Sequence, residues 1–220
     1  MTAGSDCPVV IVVDYGAGNL VSIGQALTTA GAVVRFATTG AEITAADLLI
    51  VPGVGAAAPA MDRLRAGGFV EPIQAWVAAD RPFLGICLGL QLLFEGSDED
   101  GAETLGILSG RTVRLEDAPT LPHIGWNQVV RRRPHPAFEG IDPDADFYFV
   151  HSYVVRPARE GVVEAVLAET EHGSRFVSAV ARGRLLGVQF HPERSGTDGL
   201  RLVANVVALA ADASRARSAA

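Results

Sequence analysis

The sequence predicts an α/β protein built on a mostly parallel, doubly wound sheet flanked by helices, with an antiparallel portion added in its second half. Three observations lead there. Val9-Val10-Ile11-Val12-Val13 is a continuous β-branched run rather than an alternating one, as expected of a strand buried on both faces in a parallel sheet. From it to Ile86, strand-like and helix-like segments alternate, the pattern of βαβ units. From Val113 onward, short strands follow one another through Gly, Pro and Asp turns, which favours antiparallel pairing.

In chain order, the Val9–Val13 strand is followed by the turn Asp14-Tyr15-Gly16-Ala17-Gly18-Asn19 and a helix from about Leu20 to Ala30. Strands are expected near Val33 to Ala37 and Leu48 to Val51, helices over Ala57 to Leu64 and Val70 to Ala79, and a strand over Phe83 to Ile86. The second half gives strands at Val113 to Leu115, Gln128 to Val130, Phe147 to Val150, Val163 to Ala168, Phe176 to Ala181 and Leu185 to Phe190. A helix over Thr197 to Ala211 closes the fold, and the Ala/Ser/Arg tail over 212–220 is expected to fray. No internal repeat or linker divides the chain, so residues 1–220 are expected to form a single domain.

Composition narrows the function. The 220 residues suit one α/β domain with a sizeable core, and 49% apolar content agrees. A net charge of −7 argues against a nucleic-acid partner, which needs clustered positive charge. All 18 basic residues are Arg, which excludes a Schiff-base or phosphate-loop lysine. No stretch approaches the roughly 20 apolar residues of a membrane span, and the Val9–Val13 run is too short for a signal segment. Two distant cysteines suit a reducing cytoplasm, and neither metal nor cofactor is expected.

The chemistry is concentrated in Gly85-Ile86-Cys87-Leu88-Gly89-Leu90-Gln91, where an apolar strand meets a thiol bracketed by two glycines and then a helix-like stretch. That is the layout of a nucleophile elbow: the glycines permit a sharp turn that lifts the sulfur above the sheet, and the helix N-terminus beneath it suits a negative charge. A general base is then required. Gly187-Val188-Gln189-Phe190-His191-Pro192-Glu193 supplies one, an apolar strand ending in a histidine with a carboxylate two positions on. On an extended chain residues i and i+2 face the same way, so Glu193 would orient the His191 ring. Cys87, His191 and Glu193 form the expected triad. Cys7, which precedes Pro8 without a glycine frame, reads as inert.

Val51-Pro52-Gly53-Val54-Gly55 follows a strand, and ligand loops gather at the carboxyl ends of parallel strands. Backbone N–H groups at Gly53 and Val54 would face an oxyanion, with the Leu88 amide as second donor; an ordinary Pro-Gly turn is the competing reading. Gly16-Ala17-Gly18 is not a dinucleotide fingerprint, because Val21 stands where the third glycine would fall, and a turn serving a partner surface is preferred. Arg131-Arg132-Arg133 reads as a solvated loop. The aromatic strand Phe147-Tyr148-Phe149-Val150 ends in His151, Ser152 and Tyr153, which would either bind a substrate head group or cap the strand.

These residues resemble the class I, triad-type glutamine amidotransferases, whose elbow reads Gly-x-Cys-x-Gly and whose base segment reads His-x-Glu. Within that family the chain is similar to the glutaminase subunits of imidazole glycerol phosphate synthase, in histidine biosynthesis. The matching segments are Val13 to Leu20, Pro52 to Gly55, Gly85 to Glu95, Pro122-His123-Ile124-Gly125-Trp126-Asn127, Tyr148 to Tyr153 and Gly187 to Glu193, in order across nearly the whole chain. The Pro-His-Ile-Gly-Trp-Asn segment favours that role over the glutaminases of pyridoxal phosphate or anthranilate synthase. A non-catalytic scaffold binding a partner through the same surface is the reading from another class, which an intact triad opposes.

The resemblance implies a flavodoxin-like class I glutaminase fold and a thioester route in which Cys87 attacks glutamine, His191 shuttles the proton and Glu193 orients it. It implies that Gly53 and Gln91 contact glutamine, with His151, Ser152 and Tyr153 near its amino-acid end. It implies a heterodimer in which ammonia crosses to a (β/α)8-barrel cyclase subunit, faced by Asn19, His123, Trp126 and Arg194. Two positions depart from the family: Val21 stands where Arg is usual, and Arg194 where Lys is common.

Overall fold

The computed structural model describes residues 7–158 and 163–218. The chain enters the sheet with β1 (Val9–Val13), which lies between β2 (Val33–Ala37) and β3 (Leu48–Gly53) and parallel to both. The crossover between β1 and β2 is α1 (Leu20–Thr29). It starts at Asn19, whose side-chain oxygen accepts the Ser22 N–H and so satisfies one donor that the first turn leaves unpaired. Helices α2 (Ala57–Ala66) and α3 (Val70–Ala78) lead to β4 (Phe83–Cys87), which lies parallel to β3 with Gly53 opposite Cys87. A single helical turn, α4 (Leu88–Gln91), follows β4 without a loop.

Beyond α4 come β5 (Gly96–Ser97), β6 (Gly110–Arg114), β7 (His123–Gln128), β8 (Val130–Arg131), β9 (Asp146–His151), β10 (Tyr153–Pro157), β11 (Val166–His172), β12 (Ser174–Arg182), β13 (Leu185–Val188) and α5 (Gly196–Ser218). The main sheet has the order β2-β1-β3-β4-β13-β12-β11-β8. Its first five strands are parallel and the last three join by antiparallel pairing. The expected α/β class with an antiparallel addition is therefore the observed one. Return of the chain to the sheet centre matters most, because β13 pairs with Phe83–Ile86 of β4 and delivers the segment after Val188 beside Cys87.

Each face of the sheet carries its own core. Leu27 of α1 and Val203 of α5 pack with Phe149 and Phe190 on one side, and Met61, Trp76 and Leu90 cover the other. Outside the main sheet, β10, β6 and β5 form a three-stranded annex and β7 pairs with β9 in a two-stranded ribbon. No helix among the described residues is long and apolar enough to cross a membrane.

Several expected boundaries need correction. The expected strand over Val163 to Ala168 begins as a 3-10 turn over Val163–Ala165, and its strand extends instead from Val166 to His172. The tail over 212–220 was expected to fray, yet α5 continues to Ser218; residues 219–220 lie outside the described residues. Alanine has the highest helix propensity, Asp212 and Arg215 pair one turn apart, and Ala213 and Ala216 line an apolar groove with Leu48, Pro82 and Leu185. Nor are the three arginines a free loop. Arg131 lies in β8 with its guanidinium over Phe138, Arg132 pairs with Glu169, and Arg133 donates to the Ala181 carbonyl.

A methyl at Gly89 would stand 1.8 Å from the Val51 carbonyl oxygen, where no flexible side chain can yield. Gly89→Ala therefore forces α4 away from β3. We expect it to destabilise the fold by at least the ~1–3 kcal/mol typical of overpacking, read as a lowered thermal midpoint, with loss of Cys87 reactivity in whatever remains folded.

Candidate active site

Cys87 is the last residue of β4 and the residue before α4, with φ 54° and ψ −108°. A side chain in this region of backbone space costs about 1–3 kcal/mol, and such strain persists only where the surroundings impose it. They do here. A Cβ on Gly85 would meet the Gly89 carbonyl oxygen at 2.7 Å, so only glycines allow the chain to fold back this tightly. The thiol ends up buried at the carboxyl edge of the sheet, above the unpaired N–H groups of the first turn of α4.

His191 arrives from β13 on the neighbouring strand. Its backbone N–H donates to the Tyr148 carbonyl, and the Ser195 hydroxyl ties the same loop to β9 by accepting from the Tyr148 N–H and donating to the His191 carbonyl. His191 Nδ1 lies 2.9 Å from Glu193 Oε1, with both side chains almost wholly buried. The expected contact is present but its cause differs from the expected extended chain: His191 caps a 3-10 turn, Pro192–Arg194, and the turn folds Glu193 back onto the ring. Nε2 has no partner of hydrogen-bond geometry among the described residues and is left for Cys87. Burial alone would lower the His191 pKa; the neighbouring Cys87 and the hydrogen-bonded Glu193 outweigh it and raise the value from 6.5 to about 10.

Cys87 opens into a cleft of about 280 Å³ lined by Val54, Gly55, Leu88, Gln91, Glu99 and the His151–Tyr153 segment. The Gly53 loop is clamped from beneath by Tyr15, whose buried hydroxyl donates to the Pro52 carbonyl at 2.9 Å. Burial and the neighbouring Cys87 push the Tyr15 hydroxyl pKa well above its usual value, so it remains a donor. Three residues at the site escaped the sequence reading. Tyr15 was read only as part of a turn. Glu99 brings a carboxylate to the cleft rim, its pKa raised by partial burial and by Asp100. Gln189, fully buried, reaches Cys87 Sγ at 3.5 Å with Nε2. Position was the available signal for Gln189, since it lies two residues before His191 at the end of the strand beside the nucleophile.

The residues expected to face a partner divide. Asn19, Trp126 and Arg194 are exposed, and Arg194 lies 4.0 Å above the Tyr148 ring, which meets Trp126 edge-on. His123 does not join them. It is buried, stacked between Phe149 and His172, because β7 turns His123 inward and Ile124 and Trp126 outward. Among the described residues no group of three or more His, Cys, Asp or Glu could hold a metal ion.

The family model for class I glutamine amidotransferases matches residues 11–209. The imidazole glycerol phosphate synthase subunit HisH of Synechococcus elongatus is 47% identical over 204 residues, covering 91% of this chain and 93% of its own. Its counterpart from Dehalococcoides mccartyi is 44% identical over 202 residues, covering 91% and 97%. Among solved structures, a putative GMP synthase subunit from Thermoplasma acidophilum superposes with a TM-score of 0.72 at 17% identity, covering 96% of this chain and 98% of that one. PurLQS from Thermotoga maritima gives 0.72 at 17% identity, covering 92% and 99%. These two share the fold.

Because the folded state raises the His191 pKa, it favours the imidazolium. That stabilisation is complete below the unfolded value near 6.5 and is lost as pH rises through about 10. Glu193→Gln should bring the His191 titration, followed by ring NMR signals, down toward the ordinary value. The stability gap between wild type and variant should be widest below pH 6.5 and close as pH approaches 10. A wild-type ring titrating near 6.5 would contradict the geometry described above.

Proposed function

The chain belongs to the class I glutamine amidotransferases, and we propose that within the family it is the glutaminase subunit of imidazole glycerol phosphate synthase, acting in histidine biosynthesis. The observation that carries the catalytic reading is the elbow itself: a thiol in a strained turn, a buried imidazole held by Glu193 beside it, and a cleft the size of an amino acid in front of both. Glutamine is the substrate. Its α-ammonium is received by the Glu99 carboxylate at the rim, while its carboxamide reaches inward past Gln91 to Cys87.

The thiolate sulfur adds to the carboxamide carbon, and the oxyanion is met by the Leu88 amide and the Gly53–Val54 loop. The imidazolium of His191 gives its proton to the departing nitrogen, the C–N bond breaks, and ammonia leaves a glutamyl thioester. Neutral His191 then takes a proton from water as the water oxygen adds to the thioester carbon. Collapse breaks the C–S bond and releases glutamate, and the triad is restored. Glu193 holds the ring and stabilises its charged form throughout.

The ammonia passes to a cyclase subunit, taken to be a (β/α)8 barrel, that docks on the exposed face bearing Asn19, Trp126 and Arg194. Support comes from the exposure of Ile124 and Trp126 on the outer side of β7 and from the Arg194 guanidinium carried on the same turn as Glu193. Arginine offers a planar fork to a partner carboxylate, so the change from the family's usual lysine preserves the pairing with altered geometry.

Cys87→Ala should abolish glutamine-dependent synthesis by the complex and leave ammonia-dependent synthesis untouched, because only the ammonia supply passes through the thiol. A glutamine-like diazo ketone should alkylate Cys87 and spare Cys7, as mass spectrometry can read. Glutamine-driven turnover surviving in the variant would sink the triad.

Arg194→Ala should weaken association or glutaminase activation by the cyclase while sparing Cys87 alkylation. Truncating one side of a buried, hydrogen-bonded charge pair costs ~2–5 kcal/mol, whereas a rim pair changes mainly the salt dependence. Titration with cyclase, following glutamate release, separates these outcomes, and equal affinity and activation would show that Arg194 is a surface residue only.

A further inference from the structure

The segment between β3 and α2 is fastened at both ends by side chains and left free in the middle. Pairing of β3 with β1 stops at Ile50 opposite Val12, while pairing with β4 runs on to Gly53 opposite Cys87. The last residues of β3 are therefore backed by a strand on one edge only. Tyr15 supplies the other edge: its buried hydroxyl donates to the Pro52 carbonyl at 2.9 Å and so ties down the planar Pro52–Gly53 peptide. A Cβ at position 53 would stand 2.3 Å from that hydroxyl, so the contact needs glycine there.

The far end is fastened differently. Ala56 stands at the N-cap of α2 and has no side-chain oxygen with which to cap it. Asp100 does so from another loop, its Oδ2 accepting the Ala58 N–H at 2.6 Å, where the helix N-terminus favours negative charge. Further along α2, Arg63 Nη1 donates to the Gly16 carbonyl at 2.9 Å and ties the helix back to the turn that carries Tyr15. Between these anchors the Val54, Gly55 and Ala56 N–H groups make no hydrogen bond among the described residues. All three residues line the cleft together with Cys87.

We propose that Tyr15 and Asp100 are positioning residues that pin the two ends of the Gly53–Ala56 loop, so that only its middle can move and its unengaged amides stay within reach of the oxyanion formed at Cys87. The proposal rests on the glutaminase reading. Without the Tyr15 hydroxyl, the Pro52 carbonyl is left buried and unpaired on that edge, which favours a turn of the peptide toward the open cleft, where water can hydrate it. Such a turn brings the negative end of a peptide dipole toward the place where negative charge develops. Without Asp100 the start of α2 loses its cap, and the far end of the loop frays with it. Either change misplaces donors that matter only once the carboxamide oxygen has become an oxyanion, so it acts on the transition state rather than on glutamine binding.

The test uses the chain assembled with its cyclase and compares two reactions of one thiol. Glutamine hydrolysis passes through an oxyanion. Alkylation by iodoacetamide does not, since the sulfur–carbon bond forms as iodide leaves a saturated carbon. Tyr15→Phe should lower kcat for glutamate release at least about tenfold, short of the roughly 10²–10³ that losing a donor outright costs, with KM changed by less than about threefold. Alkylation of Cys87, read by mass spectrometry, should keep its wild-type rate. Asp100→Asn retains an acceptor for the Ala58 N–H and Asp100→Ala does not, while both remove the charge beside Glu99. The alanine variant should therefore lose kcat about fivefold, the equivalent of a lost cap, and the asparagine variant should keep most of it. An unchanged kcat in Tyr15→Phe, alkylation slowed as much as hydrolysis, or Asn and Ala variants behaving alike would overturn the proposal. Should the phenylalanine variant fail to fold, the Asp100 pair decides alone, since that side chain is exposed. A wild-type assembly that does not hydrolyse glutamine would instead strike the parent reading.

Discussion

The approach of α4 to β3 sets the geometry of the whole site. A methyl on Gly89 would strike the Val51 carbonyl, and one on Gly53 would stand 2.3 Å from the Tyr15 hydroxyl and 3.0 Å from Leu88 Cβ. Bare backbone at these places lets the turn after the nucleophile rest on the end of β3. Cys87 is forced into left-handed backbone space as a consequence, and the Leu88 amide comes beside the Gly53–Val54 loop. The strain at Cys87 is held by what lies beyond it: Leu88, Leu90, Leu92 and Leu93 are all buried, so the turn cannot relax without exposing apolar surface.

How readily a sequence betrays its structure depends on whether residues serve one demand or two. The elbow was legible because glycines on both sides of a thiol answer a steric demand that nothing else in a strand creates. β1, β4 and β13 were legible for a similar reason, since burial on both faces leaves a continuous apolar run. β7 was not. Its buried side carries His123, Gly125 and Asn127, while Ile124 and Trp126 face out, the reverse of the pattern by which a half-buried strand is recognised. The inversion has a physical cause in each direction: the polar residues inside hydrogen-bond to one another and to backbone, and the apolar ones outside belong to a surface suited to docking. The resemblance set His123 on that surface, and the register of β7 turns it inward instead.

That ribbon lies between the exposed face and the chemistry. On one side it presents Trp126 and supports Arg194 on Tyr148. Through its backbone, Tyr148 receives the His191 N–H and gives its own to Ser195, so the strand that bears the aromatic face also holds the loop of the base. Its interior carries the imidazole pair that leads to the Tyr153 carbonyl. A displacement of β9 therefore reaches His191 and the cleft wall through different bonds.

Three buried histidines lie close together, and their environments push them in opposite directions. Burial penalises the charged ring in all three. His123 and His151 meet it by facing each other and groups that need only one proton per ring, and both stay neutral. His191 alone has a carboxylate on one nitrogen and a thiol on the other, and there the attraction exceeds the penalty. Divergence of this kind is how neighbouring groups of one residue type are assigned different tasks. Neutral rings can pass hydrogen-bond direction from Asn127 to a carbonyl, but their remaining N–H is far too weak an acid to protonate a leaving group. The charged ring can release ammonia and is useless as a fixed link, since its proton must leave. The separation in pKa therefore identifies the base without reference to sequence position, and the residue it selects is the one whose partner Glu193 the turn at Pro192 had to fold back to reach.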